Sequence, residues 1–304
     1  MSLASQFIIP NSEFITMNRP AWIKAKAPDG AEYREMKRLV ESSNLHTVCQ
    51  SAHCPNIGEC WRARTATFMI LGNTCTRNCR FCAVPSRSSG ISNPGRSLDV
   101  DADEPRRVAE AVAHLGLKHA VITSVTRDDL PDGGASIFAE TIRLIHRNAP
   151  GCSVEVLIPD LQGDRNALSC VVEAKPDILN HNVETVDRCY PDVRPQAIYS
   201  RSIELLRQAK AMDSGLRTKS GLMVGVGETW DELLQTMRDL RSVECEILTI
   251  GQYLAPSNDH LPISRYYTPQ EFDDLKRIGL GMGFGYVESA PLVRSSYHAA
   301  DQTP

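Results

Sequence analysis

Apolar residues in this chain gather into short runs, and longer amphipathic stretches separate the runs. The runs at 67–71, 120–125, 153–158, 178–182, 219–224 and 247–252 predict strands, with a weaker seventh at 285–288. Between them, segments with apolar positions every three or four residues predict helices near 104–115, 136–148, 164–174, 199–211, 230–240 and 269–279. A further helix is expected at 31–43, through Tyr33, Met36, Leu39 and Val40, after an irregular start marked by Pro10, Pro20 and Pro28. Strands alternating with helix-length segments imply βαβ units and a parallel sheet. Six such units suit a partial barrel better than a dinucleotide-binding sheet. No G-x-G-x-x-G opens the first crossover helix, and no G-x-x-x-x-G-K-[ST] occurs.

Barrel chemistry collects in the loops that follow the strands. Here those loops read Gly72-Asn73-Thr74-Cys75, Thr126-Arg127-Asp128-Asp129, Pro159-Asp160, His181-Asn182-Val183-Glu184, Gly225-Val226-Gly227-Glu228 and Tyr253. Each alone fits ordinary turn chemistry. Their shared position at one rim makes the set a candidate site.

The 304 residues are 42% hydrophobic and 23% charged, enough for a large core without disulfide staples. No apolar run reaches the length of a membrane span. The first 18 residues hold no Lys or Arg and carry Glu13, so neither a secretory signal nor a transit peptide is expected, and a cytoplasmic location is. A net charge of −4 argues against a nucleic-acid binder. Cysteine changes the picture: six of the ten lie between Cys49 and Cys82. In a reducing compartment, clustered thiols bind metal or do redox chemistry. Cys152, Cys170, Cys189 and Cys245 are dispersed and read as small buried hydrophobes. Charge segregates as well. From Trp61 to Leu98 there is no acid but six arginines (Arg62, Arg64, Arg77, Arg80, Arg87 and Arg96), so this segment is +6 and the remainder −10. Such a stretch is either a solvated face or a set of charges that compensates thiolates and attracts an anionic partner.

The cysteines form two triads. Cys75-x3-Cys79-x2-Cys82 directly follows the first strand. Three thiolates on a short loop hold three irons of a cubane and leave the fourth open to chelate a small molecule. A structural zinc site wants four closed ligands, and neither His53 nor His114 stands at finger spacing. Cys49-x4-Cys54-x5-Cys60, read alone, stays open between zinc, with His46 or His53, and a second iron–sulfur cluster.

The second triad, with Phe81 before its last cysteine, resembles the signature of radical S-adenosylmethionine (SAM) enzymes. The stretches SNLHTVCQSAHCPNIGECW, ATFMILGNTCTRNCRFCAVP, SVTRDDLPDGGA, HNVETV, TKSGLMVGVGE, TIGQYLAPS and PLVRSSYHA together resemble the lipoyl synthase family, over residues 19–299. The resemblance implies a partial (β/α)6 TIM-type barrel at 63–290. An N-terminal extension, 1–62, would carry auxiliary-cluster cysteines, and a C-terminal tail, 291–304, would close over the site. It implies two 4Fe–4S clusters. Cys75, Cys79 and Cys82 would hold the one that cleaves SAM to a hydrogen-abstracting radical. Cys49, Cys54, Cys60 and Ser296 would hold the auxiliary one, which donates sulfur and is consumed. On its residues alone Ser296 reads as a loop or capping serine; Ser295 is not carried over as a ligand, and Arg294 would position the cluster or the substrate. SAM contacts are implied for Phe81, for Gly133 and Gly134 (all that remains of a G-G-E motif), and for Asn182 and Glu184, toward the ribose. They are also implied for Gly221, Met223, Gly225 and Glu228, a G-x-I-x-G-x-x-E pattern with Met in place of Ile.

The implied reaction inserts two sulfurs at C6 and C8 of a protein-bound octanoyl group. Those carbons are unactivated, so no polar base removes their hydrogens and a radical is needed. The implied partners are octanoylated lipoyl carrier domains (2-oxoacid dehydrogenase E2 subunits and the glycine cleavage H protein) and an electron donor such as ferredoxin or flavodoxin. No nucleic-acid or membrane partner is expected, and the chain is expected to be a monomer. A biotin synthase-like or methylthio-transferring enzyme would lack the first triad and R-S-S-Y together. A zinc-stabilised interaction module would leave the barrel-rim residues unexplained.

Overall fold

The strand runs are apolar on both faces, as in a parallel sheet covered by helices. A computed structural model describes residues 19–24, 28–52, 54–63, 65–86 and 99–302. After α1 (Ala31–Ser42) come a short strand β1 (His46–Thr47) and two short helices, α2 (Val48–Ser51) and α3 (Ile57–Arg62). The alternating part then runs β2 (Thr67–Ile70), α4 (Glu104–Leu115), β3 (His119–Ser124), α5 (Ala135–Asn148), β4 (Ser153–Leu157), α6 (Arg165–Glu173) and β5 (Ile178–Asn180). It continues through α7 (Tyr190–Val193), α8 (Tyr199–Met212), β6 (Arg217–Val224), α9 (Trp230–Ser242), β7 (Ile247–Gln252), α10 (Pro269–Gly281) and β8 (Tyr286–Ser289).

The strands lie in sequence order. β1 is antiparallel to β2, and β2 through β8 are all parallel. The sheet runs from β1 at one edge to β8 at the other, so the barrel is partial, as expected. Every strand predicted from the apolar runs is present, the weak seventh included. The pattern missed β1 and the helices α2, α3 and α7, because elements of two to six residues are too short to show a period.

Local chemistry sets the element ends. Thr229 and Thr268 open α9 and α10 with capping boxes closed by Glu232 and Glu271. The Asp164 side chain accepts from the first amides of α6, and Gly116, at φ 60°, ends α4. One hydrophobic core runs from Met36 and Val40 through the sheet to Val287, so the extension packs into the barrel's own core. Trp61 of α3 is fully buried and stacks on Tyr33 of α1 at 5.2 Å. The lumen is polar low down. Lys219 Nζ lies 2.9 Å from Glu155, Asn180 donates to the same carboxylate at 2.9 Å, and His119 stands 3.6 Å away. Charges this buried persist because they are paired. Among the described residues no helix is long and apolar enough to cross a membrane.

Candidate active site

The strands' C-terminal ends open on one mouth, where the second cysteine triad stands, while the first lies beside the start of β2. The first sits on the extension. Cys49 lies in α2, Cys60 in α3, and Cys54 between them, with the Cys54 amide donating to the Cys49 carbonyl at 3.0 Å. Burial pushes the Cys49 thiol up to about 11, and the neighbouring Cys54 adds to the effect. Burial, then Cys49 and Cys54, push Cys60 up to about 12. Cys54 is also raised by burial, with Arg294 opposing the shift.

The second triad follows β2. Leu71 and Gly72 take φ of 66° and 81°, and the Leu71 amide donates to the buried Glu104 carboxylate at 2.6 Å, which starts the loop. The Thr76 amide and hydroxyl both donate to the Thr126 carbonyl at 3.0 Å. Arg77 is buried: its Nε and Nη2 pair with Asp128 at 2.6 and 2.9 Å, and Nη2 reaches the fully buried Asp160 at 2.6 Å. Arg201 completes the network on the other Asp160 oxygen at 3.2 Å. His260 Nε2 stands 3.2 Å from the Cys82 carbonyl. Burial, then Cys79, Cys75 and Glu184, push Cys82 up to about 12, and burial raises Cys79 against the pull of Arg194.

Thiols driven up by burial and by one another are short of positive charge. Iron supplies it by displacing the protons, so both triads fit iron–sulfur clusters. Among the described residues no three His, Cys, Asp or Glu side chains converge on a single-ion site. A cubane spreads its thiolates over separate irons and requires no such convergence. His53, one candidate zinc ligand, lies outside the described residues.

Residues that the rim loops predicted stand beside the second triad, where Glu184 acts on Cys79 and Cys82. Asn182 Nδ2 donates to Glu184 at 3.1 Å, while its buried Oδ1 has no partner and stands over Gly221. A Cβ on Gly221 would lie 2.7 Å from that oxygen and 3.0 Å from Thr249 Oγ1. The cradle with its unsatisfied acceptor fits a hydroxylated ligand such as the SAM ribose. Glu184 has the left-handed φ of 70°, and burial raises its carboxyl against Arg194, Asn182 and Arg294. Backbone strain of this kind gathers at functional sites. Both Glu228 oxygens accept from backbone amides, of Gly225 at 2.7 Å and Val226 at 2.9 Å, so this carboxylate holds the turn after β6. A Cβ on Gly225, whose φ is 93°, would strike the Arg265 carbonyl at 2.4 Å. Phe81 and Met223 pack on a small apolar cluster that includes Val186, Val226 and Tyr253. Gly133 and Gly134 have φ of 61° and 91° at the start of α5, and Leu71 fills the space a Gly134 side chain would need.

The C-terminal tail crosses this mouth. Asn56 donates to the Leu292 carbonyl at 2.7 Å, and Tyr297 Oη to Glu59 at 3.2 Å. Ser295 and Ser296 sit in the turn closed by the Tyr297 amide on the Arg294 carbonyl at 2.9 Å. Arg294 feels both Cys54 and Glu184, so its charge acts on the first triad and on the rim loop after β5.

The radical SAM superfamily profile matches residues 69–240, and that of the N-terminal domain of lipoyl synthase of the radical SAM family matches residues 6–54. The lipoyl synthase of Rubrobacter xylanophilus is 62% identical over 94% of this chain and 86% of that one. The chain belongs to the lipoyl synthase family. The lipoyl synthase of Koribacter versatilis is 58% identical over 93% of this chain and 91% of its own. Two solved structures share the fold: the hydrogenase maturase HydG of Carboxydothermus hydrogenoformans (TM-score 0.58, 16% identity, 88% of this chain and 68% of that one) and methylornithine synthase (0.53, 14%, 88% and 80%). As a lipoyl synthase the chain is a radical SAM sulfurtransferase that uses SAM and a 4Fe–4S cluster to insert two sulfurs at C6 and C8 of a protein-bound octanoyl group.

Within the lipoyl synthase site, sequence reading missed Arg194, the Asp128–Asp160 clamp on Arg77 and Asn56. Arg194 donates to the Asn182 and Val183 carbonyls at 3.0 and 3.2 Å and faces Cys79. No motif marks it; only the turn around α7 brings it inward. The arginine-rich stretch is not one class. Arg77 is buried in ion pairs, Arg62 and Arg80 are exposed, and Arg64, Arg87 and Arg96 lie outside the described residues. Of the dispersed cysteines Cys152, Cys189 and Cys245 are buried, as expected, and Cys170 is half-buried.

Proposed function

We propose that Cys75, Cys79 and Cys82 hold the cluster that cleaves SAM. Cys49, Cys54, Cys60 and Ser296 hold a second 4Fe–4S cluster that donates sulfur. The observation that carries this reading is the placement of Arg294, which acts on a residue of the first triad and on a carboxylate beside the second. Arg294 feels Cys54 on one side and Glu184 on the other, and Glu184 in turn acts on Cys79 and Cys82. When bound, the first cluster supplies the electron that splits SAM into methionine and a hydrogen-abstracting radical, and the second supplies sulfide.

The chain's own residues bind and orient. Asn182 and Glu184 receive the ribose, with Gly221 leaving room for it. Glu228 shapes the Gly225–Val226 turn against the adenine, and Phe81 and Met223 wall that pocket. Gly133 and Gly134 let α5 begin close under Leu71, at the base of the cluster loop. Arg294 balances charge between the centres.

The reading divides the chain into an auxiliary-cluster extension (1–62), a barrel (63–290) and a closing tail (291–304). The carriers are lipoyl domains of 2-oxoacid dehydrogenase E2 subunits and the glycine cleavage H protein. Ferredoxin or flavodoxin supplies electrons to a monomer in the cytoplasm.

The test uses anaerobically purified full chain, an octanoylated carrier peptide, SAM and a reductant, with mass spectrometry of the peptide. Wild-type protein should be brown, with iron and acid-labile sulfide for two clusters, and should yield the lipoyl peptide. Cys54→Ala should cleave SAM without completing the product, and Cys79→Ala should do neither. Full lipoyl yield from Cys54→Ala would overturn the assignment of the second cluster.

A further inference from the structure

The tail that carries Ser296 is gripped from two sides just before the serine. After β8 it lies along the end of β7. The Ala290 amide donates to the Ile250 carbonyl, and the Gln252 amide to the Pro291 carbonyl, both at 3.2 Å. Between these contacts stands Gly251. Its φ is outside the left-handed region, so its backbone does not call for glycine. The tail does. A Cβ on Gly251 would stand 2.0 Å from the Val293 carbonyl oxygen and 3.0 Å from its carbon. Both atoms are backbone, so only a shift of the whole tail could relieve the clash.

The opposite grip comes from the auxiliary loop. Asn56 lies between Cys54 and Cys60, is 5% exposed, and donates through Nδ2 to the Leu292 carbonyl at 2.7 Å. Val293, between the two grips, is buried. The Arg294–Tyr297 turn follows at once, and Tyr297 comes within electrostatic reach of Cys60. Neither Ser295 nor Ser296 makes a side-chain hydrogen bond among the described residues, so the serines do not fix their own place.

We propose that Gly251 and Asn56 are positioning residues for sulfur insertion: the hydrogen-only notch on β7 and the amide on the auxiliary loop set the tail's register and thereby present the Ser296 hydroxyl to the Cys49, Cys54 and Cys60 triad. This rests on the reading of Ser296 as the fourth ligand. Both grips act on main-chain carbonyls and neither is ionic. The tail is therefore held in one register through its own main chain. A methyl group on Gly251 demands a tail shift of about 1 Å, a misplacement large enough to cost reactions on the order of a hundredfold.

The test compares Gly251→Ala, Asn56→Ala and Ser296→Ala with wild type, as anaerobic holoprotein. Hydrogen exchange is followed in the tail (293–302) and in β7, and the ratio of lipoyl product to 5'-deoxyadenosine is measured in the same samples. For Gly251→Ala and Asn56→Ala, tail amides should exchange about tenfold faster with β7 unchanged, and the product ratio should fall at least about tenfold. Wild-type tail protection in both variants overturns the proposal. So does a freed tail with an unchanged ratio. If Gly251→Ala does not fold, Asn56→Ala decides alone, since it leaves the sheet untouched. A wild-type ratio from Ser296→Ala would instead refute the ligand reading, while the exchange data would still judge the two grips.

Discussion

Arg77 gives the sharpest quantitative test of how the SAM-cluster loop is held. Its guanidinium spans two aspartates from different strand ends, Asp128 after β3 and Asp160 after β4. Burial alone would raise the Asp160 carboxyl, but the Arg77 hydrogen bond and charge overcome it and bring the group from 3.8 to about 2. A shift of that size corresponds to roughly 2.4 kcal/mol of stability. Asp160 is fully buried, so solvent screening takes little away. Because the folded value is depressed, the stabilisation is complete above about pH 4 and is lost as the pH falls toward 2. Replacing Arg77 by Met keeps the length of the side chain but leaves Asp160 with the Gln162 amide at 3.1 Å and, as its remaining ion-pair partner, the partly exposed Arg201 at 3.2 Å. We expect Arg77→Met to cost about 2–4 kcal/mol at pH 7, near the range for breaking one side of a buried pair. The assay is urea unfolding of the iron-free full chain at pH 7, run as a cycle with Asp160→Asn and the double variant. The cycle should show about 2 kcal/mol of coupling. An additive cycle, or a loss below about 0.5 kcal/mol for Arg77→Met, would refute the clamp.

Cys79→Ala should abolish 5'-deoxyadenosine formation while retaining about half the iron, and normal SAM cleavage would sink the triad assignment. Gly221→Ala should weaken SAM binding about tenfold in equilibrium dialysis, because the new methyl occupies the cradle 2.7 Å from Asn182 Oδ1; unchanged affinity would mean the ribose lies elsewhere. Ser296→Cys should keep both clusters and cleave SAM, yet stall before lipoyl product, since a softer thiolate releases iron less readily; wild-type yield would contradict the releasable-ligand argument. Reversing the exposed Arg62 and Arg80 to Glu should weaken carrier-domain binding and flatten its salt dependence, because such charges are screened over about 8 Å at physiological salt. An equal salt response from a free octanoyl peptide would remove that role.

Much of this protein is legible in its sequence. The alternation of apolar runs and amphipathic stretches determines the strands, the helices and the parallel order, because burial on both faces and on one face leave different periods. The spacing Cys75-x3-Cys79-x2-Cys82 made this loop the candidate for an open-iron cluster, because three thiolates on one loop need no other segment to complete them. Ser296 became a candidate only through resemblance, since a loop serine carries no period and no ligand spacing.

Tertiary structure alone decided which partners the charges and glycines around the candidate site meet. Arg77 looked like one of six similar arginines and became a buried clamp, because Asp128 and Asp160 meet it from distant strands. Arg194 carried no motif and turned inward only through the bend after β5. Glu228 was a candidate ligand contact on its motif, and the structure adds that both its oxygens accept from the amides of its own turn. Gly251 is an unremarkable strand glycine until Val293 lies against it. The physical reason is common to all four. Periodicity and motif spacing are set by neighbours along the chain, whereas the partner of a charge and the free space around a glycine are set by segments tens to hundreds of residues away, and only the folded barrel brings those together.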